Sequence, residues 1–369
     1  MIYISKPYIG KDEINSVVEV LKSGMIASGP KVKELEVAFA KYCNTKYAVA
    51  FNSGTAAIHA GLYALNIKEG DEVITSPFTF IASASPIFMQ KAKVVFADIS
   101  ETDFNLDPES VKKYITKKTK AIIPINLYGQ IYNYKEISKI AKQNKIYILE
   151  DACQSIGATQ NKKKSGTFGN VGAFSLYATK NITSGEGGLI TTNSLRIMQK
   201  CKMLRHHGQK ENGQYKYYDI GYNYRLTDIG AAIALVQLKK LEYINKKRIA
   251  NAKMLNIGLG NIKGIITPVV NLDNKHVYHQ YTIKVTKECK VTRDILMQGL
   301  KKRGVGCSIY YPKPLHLHPA FAKLGYKKGD FPVAERMSRE VLSLPVHPSL
   351  RIEDVKFIID TVHGILNEK

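Results

Sequence analysis

Short apolar runs alternate with segments of helical periodicity through the first two thirds of the chain. Residues 47–51, 72–76, 93–98, 121–127 and 146–152 are rich in Val, Ile, Phe or Ala and short enough for strands. Between them, 133–145 places Ile137, Ile140 and Ala141 at helical spacing. Residues 107–115 open with Asp107-Pro108, an N-cap followed by proline at the first helical position. This alternation predicts βαβ units, an α/β fold and a mostly parallel sheet buried on both faces. Two further runs, 173–177 and 189–192, predict adjacent strands joined by a glycine-rich loop.

A long helix is expected to begin after Thr227, with Asp228 at the positive end of its dipole. It carries Ile229, Ile233 and Val236 into the charged stretch 239–248. Beyond it, 279–285 alternates as a strand, 292–303 reads as a helix and 305–311 as another strand. Ile352, Val355, Ile359, Val362 and Leu366 mark one face of a closing helix. The pattern divides the chain into a large domain over 1–245 and a smaller α+β domain over 246–369. Repeats and low-complexity segments are absent from the sequence.

Composition changes this picture little. At 369 residues, with 44% apolar and 23% charged positions, the chain is an ordinary globular sequence that needs no disulfide staples. It lacks the run of about 18 apolar residues that a spanning helix requires, and MIYISKPYIGKDE is not a secretory leader. The five cysteines (Cys43, Cys153, Cys201, Cys289 and Cys307) are scattered, without a C-x-x-C pair. A cytoplasmic protein without membrane attachment or structural metal is therefore expected. Charge is the outlier. Lys and Arg number 54 against 31 Asp and Glu, a net of +23. That favours nucleic acid, anionic membranes or polyanionic small molecules without choosing among them. The lysines fall in short clusters that read as solvated surface.

Three segments carry candidate chemistry. Asn52-Ser53-Gly54-Thr55-Ala56 joins an apolar run to a helix-like stretch, a geometry that exposes backbone N–H groups to an anion. An ordinary capped helix has the same pattern. Asp151 ends an apolar run beside Glu150; strand neighbours face opposite ways, so one of the two enters a given pocket. A buried carboxylate there needs a cationic partner. Lys180 follows an apolar run among uncharged residues, ahead of Gly185-Glu186-Gly187-Gly188. Enclosure would lower its pKa and free a neutral amine to attack a carbonyl. Each segment alone has a plain structural reading. Together they form the minimal kit for pyridoxal 5′-phosphate, which has a phosphate, a ring nitrogen that must stay protonated and an aldehyde.

The sequence resembles the DegT–DnrJ–StrS sugar aminotransferases, fold-type I enzymes of the aspartate-aminotransferase class. The similarity runs over nearly the whole chain. It includes Ser28-Gly29-Pro30-Lys31-Val32, Gly70-Asp71-Glu72-Val73-Ile74, Pro77-Phe78-Thr79-Phe80 and Glu150-Asp151-Ala152-Cys153-Gln154-Ser155. It continues through Ser175…Thr179-Lys180-Asn181, Gly221-Tyr222-Asn223-Tyr224-Arg225, Pro314-Leu315-His316 and Ser343-Leu344-Pro345. The resemblance implies a mostly parallel mixed sheet in the large domain. It implies that Lys180 is the Schiff-base lysine and that Asp151 faces the pyridine nitrogen. Gln154 would reach the ring hydroxyl, Gly54, Thr55 and Ser175 the phosphate, and Phe80 a ring face. Asn223 would reach a phosphate across a homodimer interface, so that active sites are shared. Arg225, Tyr311, His316 and His318 would lie toward the substrate. Lys180, where some relatives carry His and dehydrate, favours transamination.

The implied reaction moves the amino group of L-glutamate, by way of pyridoxamine 5′-phosphate, to a nucleotide-linked 4-keto-6-deoxysugar. The products are a nucleotide 4-amino-4,6-dideoxysugar and 2-oxoglutarate. A 3-keto-sugar aminotransferase or another sugar enzyme using the same cofactor is the alternative. A basic nucleic-acid-binding or regulatory protein is a remote one, since RRM, KH and helix-turn-helix signatures are all missing.

Overall fold

In the computed structural model, residues 1–210 and 215–368 are described. The chain opens with two helices that the periodicity did not reveal, α1 (Lys11–Ser23) and α2 (Pro30–Cys43). Both start at glycine, which has no capping side chain. One cap is local and the other distant. The Glu13 carboxylate accepts the Gly10 amide at 2.8 Å. Asp228, some 199 residues away from Gly29, accepts the Gly29 and Val32 amides at 2.8 and 3.0 Å. The second of these starts, supplied by tertiary contact, has no local signature.

The central sheet has seven strands: β1 (Tyr47–Phe51), β2 (Glu72–Thr75), β3 (Lys93–Phe96), β4 (Thr119–Ile123), β5 (Tyr147–Asp151), β6 (Val171–Ser175) and β7 (Gly188–Thr192). Their order is β1-β7-β6-β5-β4-β2-β3, and only β7 pairs antiparallel with its neighbours. The chain leaves β4 at Pro124, short of the expected end at 127, because proline has no N–H for the ladder. Alternate residues pack on opposite faces. Val73 and Leu149 face Ile58 and Leu62 of α3 (Gly54–Ala64). Ile74 and Ile148 face the other way, toward Ile137 and Ile140 of the helix Tyr134–Gln143.

The helix Asp228–Leu259, here α4, has 32 residues and starts where expected, with Thr227 Oγ1 accepting the Gly230 amide. At about 1.5 Å per residue it spans roughly 48 Å, and it runs unbroken through residue 245. Its first half packs Leu235, Leu241 and Ile244 against the central sheet. Its second half gives Leu255 and Leu259 to a separate core. That core holds a three-stranded antiparallel sheet (Ile265–Ile266, Tyr281–Val285, Val341–Leu344) and the helices Arg293–Lys302 and Ile352–Asn367.

The expected strand over 305–311 does not form. Val305 bridges Ile2 and Ser308 bridges Ser343, but these are isolated contacts. The segment changes partners within three residues, so no ladder can extend. The chain then crosses to the core of the central sheet, where Leu315 donates its amide to the Pro77 carbonyl at 2.7 Å. Asp98 accepts the Val333 and Ala334 amides there at 3.0 and 2.9 Å.

Candidate active site

Strand register assembles one edge of the central sheet. Ser175 and Phe51 both pair with Gly188, and Asp151 pairs with Ala173. The carboxyl ends of β1, β5 and β6 therefore meet the start of β7. A cavity of about 570 Å³ opens at this edge, the place where open α/β sheets bind ligands. Gly54, Thr55, Phe80, Asp151, Gln154, Ser175, Lys180 and Tyr311, all anticipated from sequence, line it.

The start of α3 forms one wall. Ser53 is the N-cap, its Oγ accepting the Ala56 amide at 3.1 Å. Among the described residues, the Gly54 and Thr55 amides have no acceptor, as the first turn of a helix dictates. Glycine at 54 is a steric requirement. A Cβ there would stand 2.9 Å from Ser175 Cβ and 3.2 Å from Cys153 Sγ. The result is an anion cup of two free N–H groups, the Ser175 hydroxyl and the positive end of a helix dipole.

Glu150 and Asp151 part as strand neighbours must. Glu150 turns away, fully buried, and accepts the Gly166 and Phe168 amides and Asn126 Nδ2 at 2.7, 2.9 and 2.8 Å. Burial raises its pKa, and these donors oppose the rise. Asp151 faces the cavity. It accepts Ser83 Oγ at 2.7 Å and the Cys153 amide at 3.1 Å. Ser83 is braced in turn by Thr79 Oγ1 at 2.9 Å. Among the described residues, no cation forms an ion pair with Asp151.

Lys180 enters from the loop between β6 and β7. Its amide donates to the Tyr177 carbonyl at 2.9 Å, which turns the chain. Burial lowers the pKa of its ammonium, while Cys153 and Asp151 pull the other way. The opposite wall holds Tyr311, whose hydroxyl accepts Gln154 Nε2 at 3.2 Å; Gln154 Oε1 accepts the Tyr128 amide at 2.8 Å. Phe80 is 57% exposed, so it is a mouth residue and not a core phenylalanine. Its ring lies 6.5 Å from that of Tyr311.

Four anticipated residues lie elsewhere in the chain. Asn223 is exposed, its carbonyl accepting Asn52 Nδ2 at 3.3 Å. Arg225 Nη1 contacts His206 Nδ1 at 2.9 Å. His318 Nε2 lies 3.2 Å from the Lys313 carbonyl. His316 departs most from the expectation. Its side chain is 0% exposed, with Nε2 3.1 Å from Glu335 Oε1 and its ring beside Phe331, and it does not line the cavity. Sequence reasoning missed Ser83, Tyr128 and His279, which also line the cavity. His279 is buried, its Nδ1 without a partner among the described residues, and burial, Lys180 and Arg248 hold its pKa well below the ordinary range. A lone histidine before an alternating strand carries no signal of this.

The donor set fits pyridoxal 5′-phosphate on two independent grounds. The glycine-gated cup suits a phosphate. The buried Asp151 carboxylate, held by neutral donors only, lacks the positive charge that a protonated ring nitrogen would provide. Among the described residues, no cluster of His, Cys, Asp and Glu could hold a metal ion, and no helix is long and apolar enough to cross a membrane.

Comparison with known proteins agrees with the geometry. Residues 7–363 match the model of the DegT/DnrJ/EryC1/StrS aminotransferase family. The chain is 36% identical to the GDP-perosamine synthase of Caulobacter vibrioides, covering 99% of this chain and 98% of that protein. It is 35% identical to the dTDP-3-amino-3,4,6-trideoxy-alpha-D-glucose transaminase of Streptomyces venezuelae, covering 94% of this chain and 90% of that protein. The crystal structure of S. venezuelae DesV, in complex with a ketimine intermediate, superposes with a TM-score of 0.92 at 34% identity, over 97% of this chain and 95% of that one.

Proposed function

The chain belongs to the DegT/DnrJ/EryC1/StrS aminotransferase family, and from that membership we propose that it transfers the amino group of L-glutamate to C4 of a nucleotide-linked 4-keto-6-deoxysugar. The products are 2-oxoglutarate and the nucleotide 4-amino-4,6-dideoxysugar. At the level its relatives share, the protein is a pyridoxal 5′-phosphate-dependent nucleotide-sugar aminotransferase. The cofactor supplies an aldehyde that captures amines and a ring that accepts the electron pair of a breaking C–H bond.

The remaining work falls to side chains. In our reading, the Gly54 and Thr55 amides and the Ser175 hydroxyl hold the phosphate. Asp151, shielded from water and braced by Ser83, keeps a proton on the ring nitrogen. Lys180 Nζ, its neutral form favoured by burial, takes the Cα proton of glutamate and returns a proton on the way to the amino sugar. Phe80 covers a ring face and Gln154 reaches the ring hydroxyl. Tyr311 and His318 shape the sugar pocket. Asn223 and Arg225, outside the cavity of their own chain, serve the cavity of a second copy, so the working unit is a homodimer.

The observation that carries this reading is the buried Asp151 carboxylate, which has no cationic partner among the described residues and shares one cavity with Lys180. The net charge of +23 suits a substrate with a nucleoside diphosphate, and steering of this kind makes turnover at low substrate fall as salt rises. Amination at C3 is the second reading, favoured by the relative whose name specifies a 3-amino product. The test is glutamate with a panel of nucleotide 4-keto- and 3-keto-sugars, followed by product identification. A 4-amino sugar with stoichiometric 2-oxoglutarate is expected. A product aminated only at C3 would reverse the choice.

A further inference from the structure

Lys180 must bring one nitrogen to two different carbons, so its backbone has to be held with little play. The turn to Tyr177 fixes it on one side. On the other side stands Asn181, 5% exposed, whose Nδ2 donates to Asn245 Oδ1 at 2.7 Å and to the Val277 carbonyl at 3.0 Å. Asn245 is wholly buried at the middle of α4 and donates its own Nδ2 to the Ile156 carbonyl at 3.1 Å. Four segments meet at this pair of amides: the lysine loop, the interdomain helix, the turn after Gln154 and the approach to the small-domain sheet.

The surroundings are built to admit Asn245. Gly157 has φ +84°, and a Cβ there would come within 2.4 Å of Asn245 Nδ2. The position also needs a neutral side chain with one acceptor and one donor. Leucine would orphan the Ile156 carbonyl and deny Asn181 one of its two acceptors. Aspartate would set an unpaired charge at a wholly buried position.

We propose that Asn245 is a positioning residue for Lys180, acting through the Asn181 amide. The proposal rests on the reading of Lys180 as the catalytic amine. Because Asn245 lies on the helix shared by both cores, it also ties the lysine to the relative placement of the two domains.

The test uses purified holoenzyme carrying Asn181→Ala, Asn245→Ala or both. Four quantities are measured: the pH midpoint of the bound cofactor's visible absorbance, kcat, KM and Tm. Each single variant should lower kcat about tenfold, with KM within about twofold, and move the absorbance midpoint by about half a pH unit. The double variant should be no worse than the worse single, because the two amides act as one link. An unchanged midpoint and kcat with only Tm lowered would overturn the proposal, as would losses that multiply in the double variant. Should Asn245→Ala fail to fold, Asn181→Ala carries the test alone, since it leaves Asn245 bonded to Ile156. Borohydride reduction of the unsubstituted holoenzyme separates the two failures. Label on a peptide lacking Lys180 removes the underlying reading. Label on Lys180 with silent asparagine variants removes only this inference.

Discussion

The cavity wall formed by the strand ends and the wall formed by the segment around Tyr311 differ in how their backbone is held. Phe51, Asp151 and Ser175 lie in continuous ladders, each with a partner in register. The stretch before Tyr311 has single bridges at Val305 and Ser308 and then crosses to the core of the central sheet. A ladder resists sliding, because a slip of one residue would turn Asp151 into the core and Glu150 into the cavity. An isolated bridge imposes no such penalty. The first wall is suited to chemistry that needs fixed atoms, and the second to shaping a pocket for a variable acceptor. Substitutions on the strand-end wall should thus strike kcat, and those on the other wall should strike KM or stability.

The sharpest break of this contrast is at Lys180. Lys180→Ala should reduce turnover by roughly four orders of magnitude, while circular dichroism and Tm stay near those of the unsubstituted protein. Retained turnover would show that the strand-end wall is not where the chemistry occurs. Next is the adjacent carboxylate pair. Asp151→Asn should cost about a hundredfold in kcat with little change in KM. Glu150→Gln should leave kcat within about twofold and cost about 1–3 kcal/mol of stability, measured by urea unfolding, because its amide faces backbone donors.

The same pair yields a pH signature. The folded-state pKa of Glu150 is raised above 4.5, so the folded chain binds more protons than the unfolded chain in the interval above that value. Its contribution to stability should therefore fall as pH rises through that interval. Urea titrations of the unsubstituted protein and Glu150→Gln across pH 4–8 (a range set by the direction of the shift) should converge toward high pH. A gap that widens with pH would contradict the assignment.

Smaller effects belong to the second wall. Tyr311→Phe removes the hydroxyl that accepts Gln154 Nε2 and should raise KM for the sugar a few-fold, about 1 kcal/mol, with kcat nearly constant. His316→Gln should cost about 1 kcal/mol of stability and leave KM unchanged, since the side chain faces Glu335. A large KM effect there would return His316 to the pocket.

The two walls also differ in how far they can be read from sequence. The strands, the Thr227 cap and the Gly54, Asp151 and Lys180 trio are local patterns. Each is an apolar run that ends in a residue whose type already states its chemistry. What stayed hidden depends on distant partners. The helix α2 begins on a carboxylate from Asp228. His279 lines the cavity because the Val277 and Gln280 amides on either side of it bond the distant Gly129 and Tyr128 carbonyls. The 305–311 run has strand composition, yet no single neighbour lies alongside it. His316 follows a family motif, and the motif does not specify which way the ring points.

The most direct measurement is reduction of the purified, cofactor-loaded protein with borohydride, followed by proteolysis and mass spectrometry of the labelled peptide. One pyridoxyl group per chain is expected, on the peptide containing Lys180. Asp151→Asn is expected to keep the label while losing most turnover. A label on any other lysine, or no label at all, would contradict the account.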